Sequence, residues 1–316
     1  MEYGSIPGVE RKISRIVQGT ALGGPPEALH AALDDAYEAG VRAFDTARVY
    51  NNEKIIGEWL AKTGTRNDWA IIAKGAHHGP QGGRVTPKDI IDDLNTSLDM
   101  LGTDFADLCI LHRDDLSVEV GPIVECLHGL KEEGRIGAFG GSNWTHERIA
   151  EANAYAAAHG LTPFACSSPN LSLAEMAEPP WPGCIGIGGG SGKAARDWYQ
   201  AHDVALFPWS SLAGGFLTGR FTRDNIPQEG YHDTYCKKAF CSEENFQRLD
   251  RVKILAEERG LSIAQIALAW TFSLPLNVFP LVGSRNKTEL DQNIAALNAK
   301  LSADEVAWLN LEQDNR

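Results

Sequence analysis

The chain has 316 residues, 43% of them hydrophobic, with 29 basic against 42 acidic residues and a formal net charge of −13. That length suits two ordinary domains or one α/β barrel of roughly 250 residues plus insertions, and eight tryptophans with near-average glycine and proline exclude a disordered or fibrous chain. The acidic balance argues against nucleic-acid and anionic-membrane partners, and no run approaches the roughly 18 apolar residues of a membrane span.

The opening MEYGSIPGVERK has no apolar core of signal-peptide length, and the six cysteines, at 109, 126, 166, 184, 236 and 241, form no CxxC pair. A cytoplasmic protein with reduced thiols is the expectation. Eight short segments rich in Ile, Val, Leu, Phe and Cys read as strands: Ile13–Val17, Val41–Asp45, Trp69–Lys74, Ala106–His112, Ala138–Ser142, Phe164–Ser168, Val204–Trp209 and Val278–Val282. Between them apolar residues recur with the spacing of amphipathic helices. In Thr86–Leu101 this places Ile90, Ile91, Leu94, Leu98 and Leu101 on one face, with Thr86 as cap, Pro87 at the first position and Asp89 in the first turn. Ser262 with Gln265, and Ser302 with Glu305, predict capping boxes at two further helix starts.

Strands alternating with helices predict parallel βαβ units. An open doubly wound sheet that binds a dinucleotide should carry G-x-G-x-x-G after its first strand, and GTALGG does not match. The expected fold class is therefore α/β, a (β/α)8 TIM barrel, with residues 1–316 as one domain. Two long loops, at about 174–192 and 214–244, follow the sixth and seventh strands and so belong to the C-terminal face, as substrate loops.

Four polar residues fall at or just beyond three successive strand ends: Asp45, Tyr50, Lys74 and His112. Singly, each has an ordinary role: a helix cap, a packed ring, a snorkelling amine, a satisfied core imidazole. Converging on one barrel mouth, they suit proton exchange with an oxygen on carbon. Asp45 can hold Lys74 charged, the ammonium can bring the Tyr50 phenol towards the working range, and His112 can orient a substrate oxygen.

These residues lie in segments that resemble the aldo-keto reductase superfamily. FDTARVYNNEKIIGEWL is similar to its D-T-A-x-x-Y pattern, IIAKG carries the lysine, LHRDD the histidine, GRIGAFGGSNW a Ser-Asn pair, and FPLVGSRNKTELDQN the C-terminal cofactor segment. The resemblance runs from Ile13 to Asn293. It implies a catalytic tetrad of Tyr50 as general acid or base, Lys74 and Asp45 tuning it, and His112 as orienting donor. It further implies that NADP(H), in preference to NAD(H), is held by Thr20, Asp45, Ser142, Asn143, Trp209, the Ser210–Leu212–Gly214 turn, Gly283, Ser284, Arg285, Gln292 and Asn293. Two positions depart from the pattern: Ser168 stands where many members carry Gln, and Glu289 where some carry Arg, with Arg285 and Lys287 as the nearby cations for a 2′-phosphate.

GIGGGSGK (Gly186–Lys193) lacks the glycine and hydroxyl positions of a phosphate loop, and His232, Cys236 and Cys241 match no zinc spacing, so no metal is expected. Trp181, Tyr231 and Tyr235 are candidate pocket walls. The implied function is NADP(H)-dependent reduction of an aldehyde, ketone or sugar-like carbonyl, or the reverse oxidation of an alcohol. The alternatives are a Schiff-base barrel aldolase using Lys74 and a cofactor-binding regulatory or redox-sensing subunit.

Overall fold

Eight short parallel strands curl into one sheet in the computed structural model, which describes residues 1–316 except 81 and 229, and not the side chains of Tyr231 and His232. They are β1 (Val17–Gly19), β2 (Ala43–Ala47), β3 (Ala70–Gly75), β4 (Ala106–Leu111), β5 (Ile136–Ser142), β6 (Cys166–Ser168), β7 (Ala205–Leu206) and β8 (Leu281–Val282). The order in the sheet is β8 followed by β1 to β7. Its two ends meet just before β8: Leu206 N donates to Asn277 O at 2.8 Å, and Phe279 N donates to Leu206 O at 2.7 Å. That pairing closes the (β/α)8 barrel and removes both edges.

The side-chain period of two sorts each strand into an inward and an outward stripe. Val17, Ala43, Ala70, Ile72, Leu108, Ile110, Ala138, Cys166 and Ala205 form the inner cluster with Phe207, Phe279 and Leu281. Phe44 and Ile71, and Ala73, Cys109 and Phe139, instead face the helical layer. The inward stripe of β2 runs through Ala43 to Asp45, that of β3 through Ile72 to Lys74, and that of β4 through Ile110 to His112. The polar residues thus occupy the top layer of an otherwise apolar barrel.

The first expected strand, Ile13–Val17, is two elements. Ile13–Ser14 pairs antiparallel with Tyr3–Gly4, and the barrel strand begins only at Val17. Ile6 and Ile13, both buried, join the inner cluster and plug the N-terminal end of the barrel. The short segment ISRIV carries no glycine or proline to mark that turn. Proline shortens later strands, since Pro208 and Pro280 have no N–H for a ladder.

Around the barrel lie α1 (Pro26–Glu38), α2 (Glu53–Thr63), α3 (Pro87–Leu101), α4 (Val120–Glu132), α5 (His146–His159) and α6 (Lys193–His202). They are followed by α7 (Gly230–Phe240), α8 (Glu243–Arg259), α9 (Ile263–Ser273), α10 (Lys287–Ala295) and α11 (Ala303–Leu309). Thr86 caps α3 by accepting from Asp89 N, and both capping boxes form. On α3, Ile90, Leu94, Leu98 and Leu101 are buried, whereas Ile91 is 37% exposed and off the core face. The segment 214–244 is mostly ordered, as a short turn (Ala213–Thr218) and α7, not as an open loop. The glycine-rich turn before α6 is occupied from within: Glu175 accepts from Gly190 N and Ser191 Oγ, and Arg196 Nη1 donates to Ile187 O and Gly189 O.

Gly57 lets α2 approach α3, because a Cβ there would lie 2.3 Å from Met100 O. Gly57→Ala gains about 1 kcal/mol of helix propensity but must displace backbone, an overpacking cost of about 1–3 kcal/mol. Since a carbonyl cannot swing aside as a side chain does, the clash wins: a net loss of stability is expected, read as a lower urea midpoint with an unchanged slope.

Candidate active site

At the barrel mouth Lys74 Nζ meets Asp45 Oδ2 at 2.6 Å, with 2% and 3% of the two residues exposed. Strand register brings them together, since Asp45 and Ala47 of β2 pair with Ile72 and Lys74 of β3. Thr20 Oγ1 donates to Asp45 O at 2.7 Å, Asn52 Nδ2 donates to Thr20 O at 2.8 Å, and Thr46 Oγ1 donates to Asn52 Oδ1 at 2.9 Å. This neutral network fixes the chain on either side of the carboxylate.

Tyr50 ends the single turn Arg48–Tyr50 that directly follows β2, and Asn51 then turns the chain with a left-handed φ of 55°. Its ring stands edge-on to His112, with centroids 5.8 Å apart. His77 packs against the other side of His112 at 5.0 Å. His112 N donates to Gly75 O at 2.7 Å, while its Nδ1 is sealed without a partner among the described residues. The proton of the neutral ring is therefore better placed on Nε2, towards the cavity.

The environment separates the three titrating groups. Burial disfavours the Lys74 ammonium, but Asp45 and the Tyr50 oxygen more than offset it and raise its pKa. Burial raises the Tyr50 phenol, and the opposing pull of Lys74 does not cancel that rise. Lys74 thus restrains the rise, whereas the sequence led us to expect it to bring the phenol towards the working range. Burial, then the charge of Lys74, pushes His112 well below the ordinary histidine value and keeps it neutral.

One cavity of about 1630 Å³ joins these residues to the far side of the mouth. Ordinary small-molecule sites occupy roughly 300–1,000 Å³, so there is room for two ligands. Its wall includes Asp45, Tyr50, Lys74, His112, Ser142, Asn143, Trp209, Ser210, Leu212, Gly214, Gly283, Arg285, Gln292 and Asn293, together with Trp181 and Tyr235.

A family model described as Aldo/keto reductase family matches residues 15–310. The chain belongs to the aldo/keto reductase family. Norsolorinic acid reductase of Emericella nidulans is 30% identical over 301 residues, covering 89% of this chain and 70% of that protein. Versiconal hemiacetal acetate reductase of Aspergillus parasiticus is 25% identical over 346 residues, covering 98% and 96%. A probable voltage-gated potassium channel subunit beta of Oryza sativa subsp. japonica is 27% identical over 281 residues, covering 85% and 81%. The aldo/keto reductase family comprises oxidoreductases that generally use nicotinamide cofactors, usually NADP(H).

In this aldo/keto reductase the remaining residues singled out from sequence divide into wall and support. Ser142 Oγ donates to Ser168 O at 2.8 Å, and Asn143 bridges outward, Nδ2 to Ser142 Oγ at 3.1 Å and Oδ1 from Ile185 N at 3.2 Å. Thr20, Ser168, Ser284 and Lys287 are not on the cavity wall. Thr20 braces Asp45, Ser168 Oγ donates to Phe207 O at 2.7 Å, and Ser284 Oγ accepts from Asn293 Nδ2 at 3.0 Å. Lys287 Nζ pairs with Asp291 at 2.8 Å, one helical turn on. Trp181 and Tyr235 stack at 5.3 Å and 19°, and the Tyr235 hydroxyl meets Ser210 Oγ at 2.7 Å. The Tyr231 side chain lies outside the described residues. His77 and Arg113 also line the cavity and were not singled out, although LHRDD puts Arg113 directly after His112.

Removing one member of a buried ion pair strands the other charge, at a cost of about 3–5 kcal/mol. Lys74→Met is expected to lose stability of that order in chemical denaturation. Adding Asp45→Leu to it should recover more than half of the loss.

Proposed function

We propose that the protein is an NADP(H)-dependent reductase of aldehydes, ketones or sugar-like carbonyls, with Tyr50 as the group that exchanges a proton with the substrate oxygen. The observation that carries this reading is the Lys74–Asp45 pair beside Tyr50 and His112, in a cavity that is also lined by the turn after β7 and by Arg285.

The fit to a dinucleotide rests on three features. The sign of φ changes from −104° at Leu212 to 54° at Ala213, with Leu212 and Gly214 on the cavity wall, and such a change turns neighbouring amides towards one side as an anion nest, in which Ala213 N already donates to Ser210 O at 2.7 Å. Trp209 Nε1 is a buried donor without a partner among the described residues, at the wall between nest and catalytic residues. Glu289 is turned onto the Arg285 backbone, where Oε2 accepts from Arg285 N at 2.9 Å, and the exposed guanidinium is left for an anion. The last point favours NADP(H) over NAD(H), because the extra phosphate needs a cation. Trp209, Ser142 and Asn143 would hold the nicotinamide end, the nest the pyrophosphate, and Arg285, Gln292 and Asn293 the adenosine end.

When bound, the dinucleotide supplies the hydride. The chain's own task is to place and protonate the oxygen. Neutral His112 directs an N–H at the carbonyl oxygen and sets its position beside Tyr50. Tyr50, protonated at neutral pH because burial raises its pKa, gives up its phenolic proton as negative charge develops on that oxygen. The phenolate left behind is stabilised by the Lys74 ammonium, which Asp45 holds in place. Stabilisation therefore grows along the reaction, where it accelerates the step.

The same charge balance speaks against a Schiff-base aldolase, which needs a neutral amine at Lys74, whereas its pKa is raised. A regulatory subunit, the reading suggested by the name of the rice relative, would not require this arrangement of four groups. The six free cysteines, four of them buried, support a reducing, cytoplasmic setting.

Tyr50→Phe should abolish reduction of a carbonyl panel, followed by loss of NADPH absorbance, while NADPH affinity read by tryptophan fluorescence changes less than about twofold; near-normal rates in this variant would remove Tyr50 from its role. For pH, the phenol is raised above 10.0 and His112 lies well below 6.5. Both therefore keep their reductive protonation states between those limits. The expected kcat/KM for reduction is flat from about pH 6.5 to 9 and falls only at more alkaline pH, and alcohol oxidation rises over the same range as the phenol loses its proton.

A further inference from the structure

The catalytic end of the cavity holds a cation that the chemistry above does not use. Arg113, directly after β4 and His112, is 7% exposed and lines the cavity. Its side chain makes one hydrogen bond to a described residue, Nη1 to Cys184 Sγ at 3.2 Å, and a thiol is a weak, neutral acceptor. The carboxylates nearest in the chain are engaged elsewhere: Asp114 with Arg148 at 3.4 Å and Asp115 with the N–H and hydroxyl of Ser117. Asp45 is taken by Lys74. None of the Arg113 nitrogens is among the sealed, partnerless atoms, so the donors not bonded to Cys184 keep access to open space, and the residue lines the cavity.

The charges at this end do not cancel. Lys74 and Asp45 neutralise one another. Burial foremost, then neighbouring cations that include Arg113, keeps His77 and His112 uncharged. One positive charge is left over, on a planar group with several free N–H donors, beside the position where the carbonyl is reduced. A guanidinium withdrawn from water without a counter-ion is unfavourable, and a ligand that brings a carboxylate relieves it with two parallel hydrogen bonds. Trp181, stacked on Tyr235 across the same cavity, offers an apolar face for the body of such a ligand.

We propose that Arg113 anchors an anionic group on the substrate, and that the protein acts on small carbonyl compounds that carry a carboxylate. This rests on the reductase reading above. The guanidinium holds the carboxylate while the carbonyl oxygen of the same molecule meets Tyr50 and His112. Arg113 is thereby a specificity residue, and its effect falls on KM more than on kcat.

Two arms test this. The first compares 4-carboxybenzaldehyde with its neutral ester, methyl 4-formylbenzoate, using the wild type, Arg113→Met and Arg113→Lys. The wild type should favour the acid in kcat/KM by about tenfold or more, the range expected for charge-assisted hydrogen bonds. In Arg113→Met the ratio should fall to about one, mainly through KM, and Arg113→Lys should restore part of it. Melting curves report whether each variant is folded, and Arg113→Gln replaces Arg113→Met where the latter does not fold.

The second arm needs no turnover: tryptophan fluorescence should show benzoate binding the wild type about tenfold or more tighter than benzamide, a difference lost in the neutral variants. Equal kcat/KM for acid and ester in the wild type, or a ratio that neutral substitution leaves unchanged, overturns the proposal. So does benzoate binding no tighter than benzamide. If no carbonyl is reduced by the wild type with NADPH, the reductase reading fails, and the benzoate arm still decides whether Arg113 is an anion site.

Discussion

The ion pair between Lys74 and Asp45 is the constraint around which the rest of the molecule is arranged. Two charges withdrawn from water are tolerated only at close range and with fixed geometry, and here the contact is 2.6 Å. That distance depends on neighbouring strands held in register, with Gly19 opposite Asp45 and Ala47 opposite Lys74. Register in turn depends on a closed sheet, completed by the hydrogen bonds between Leu206 and the chain before β8. The apolar barrel interior beneath the pair keeps water from screening it.

The protonation of its neighbours follows first from burial and then from that pair. The ammonium is fixed, so it lowers the tendency of His112 to charge and holds back, without reversing, the rise that burial imposes on Tyr50. A neutral imidazole and a protonated phenol therefore face the same space at neutral pH. The arrangement suits the proposed delivery of a proton to an oxygen. Arg113 adds a second, unneutralised charge, which makes this mouth electropositive within a chain of net charge −13.

Much of this was legible in the sequence because strand alternation is strict. Once Val41–Asp45, Trp69–Lys74 and Ala106–His112 read as strands, parity alone puts Asp45, Lys74 and His112 on the inward stripe. The caps at Thr86, Ser262 and Ser302 were legible for a similar reason, since they are local hydrogen bonds between residues three apart. What escaped depends on contacts distant in the chain. The turn between Ile13 and Val17 is set by the hairpin with Tyr3–Gly4, and Ile91 is turned to solvent by the position of α3 on the barrel. The pairing of Lys287 with Asp291, one helical turn away, was not part of that reading. Arg113 carried no signal of its own, because its meaning lies in neighbouring carboxylates that are engaged elsewhere, Asp114 with Arg148 and Asp45 with Lys74.

The central claim is that this mouth couples hydride arrival at a carbonyl carbon to proton delivery at its oxygen. Reaction of an aldehyde with NADPH deuterated at C4 of the nicotinamide, followed by mass spectrometry and proton NMR of the product, tests it directly. The account predicts an alcohol carrying one deuterium on the former carbonyl carbon, from one of the two C4 epimers only. Unlabelled alcohol from both epimers, or a Lys74 adduct trapped by borohydride in place of any alcohol, would contradict it.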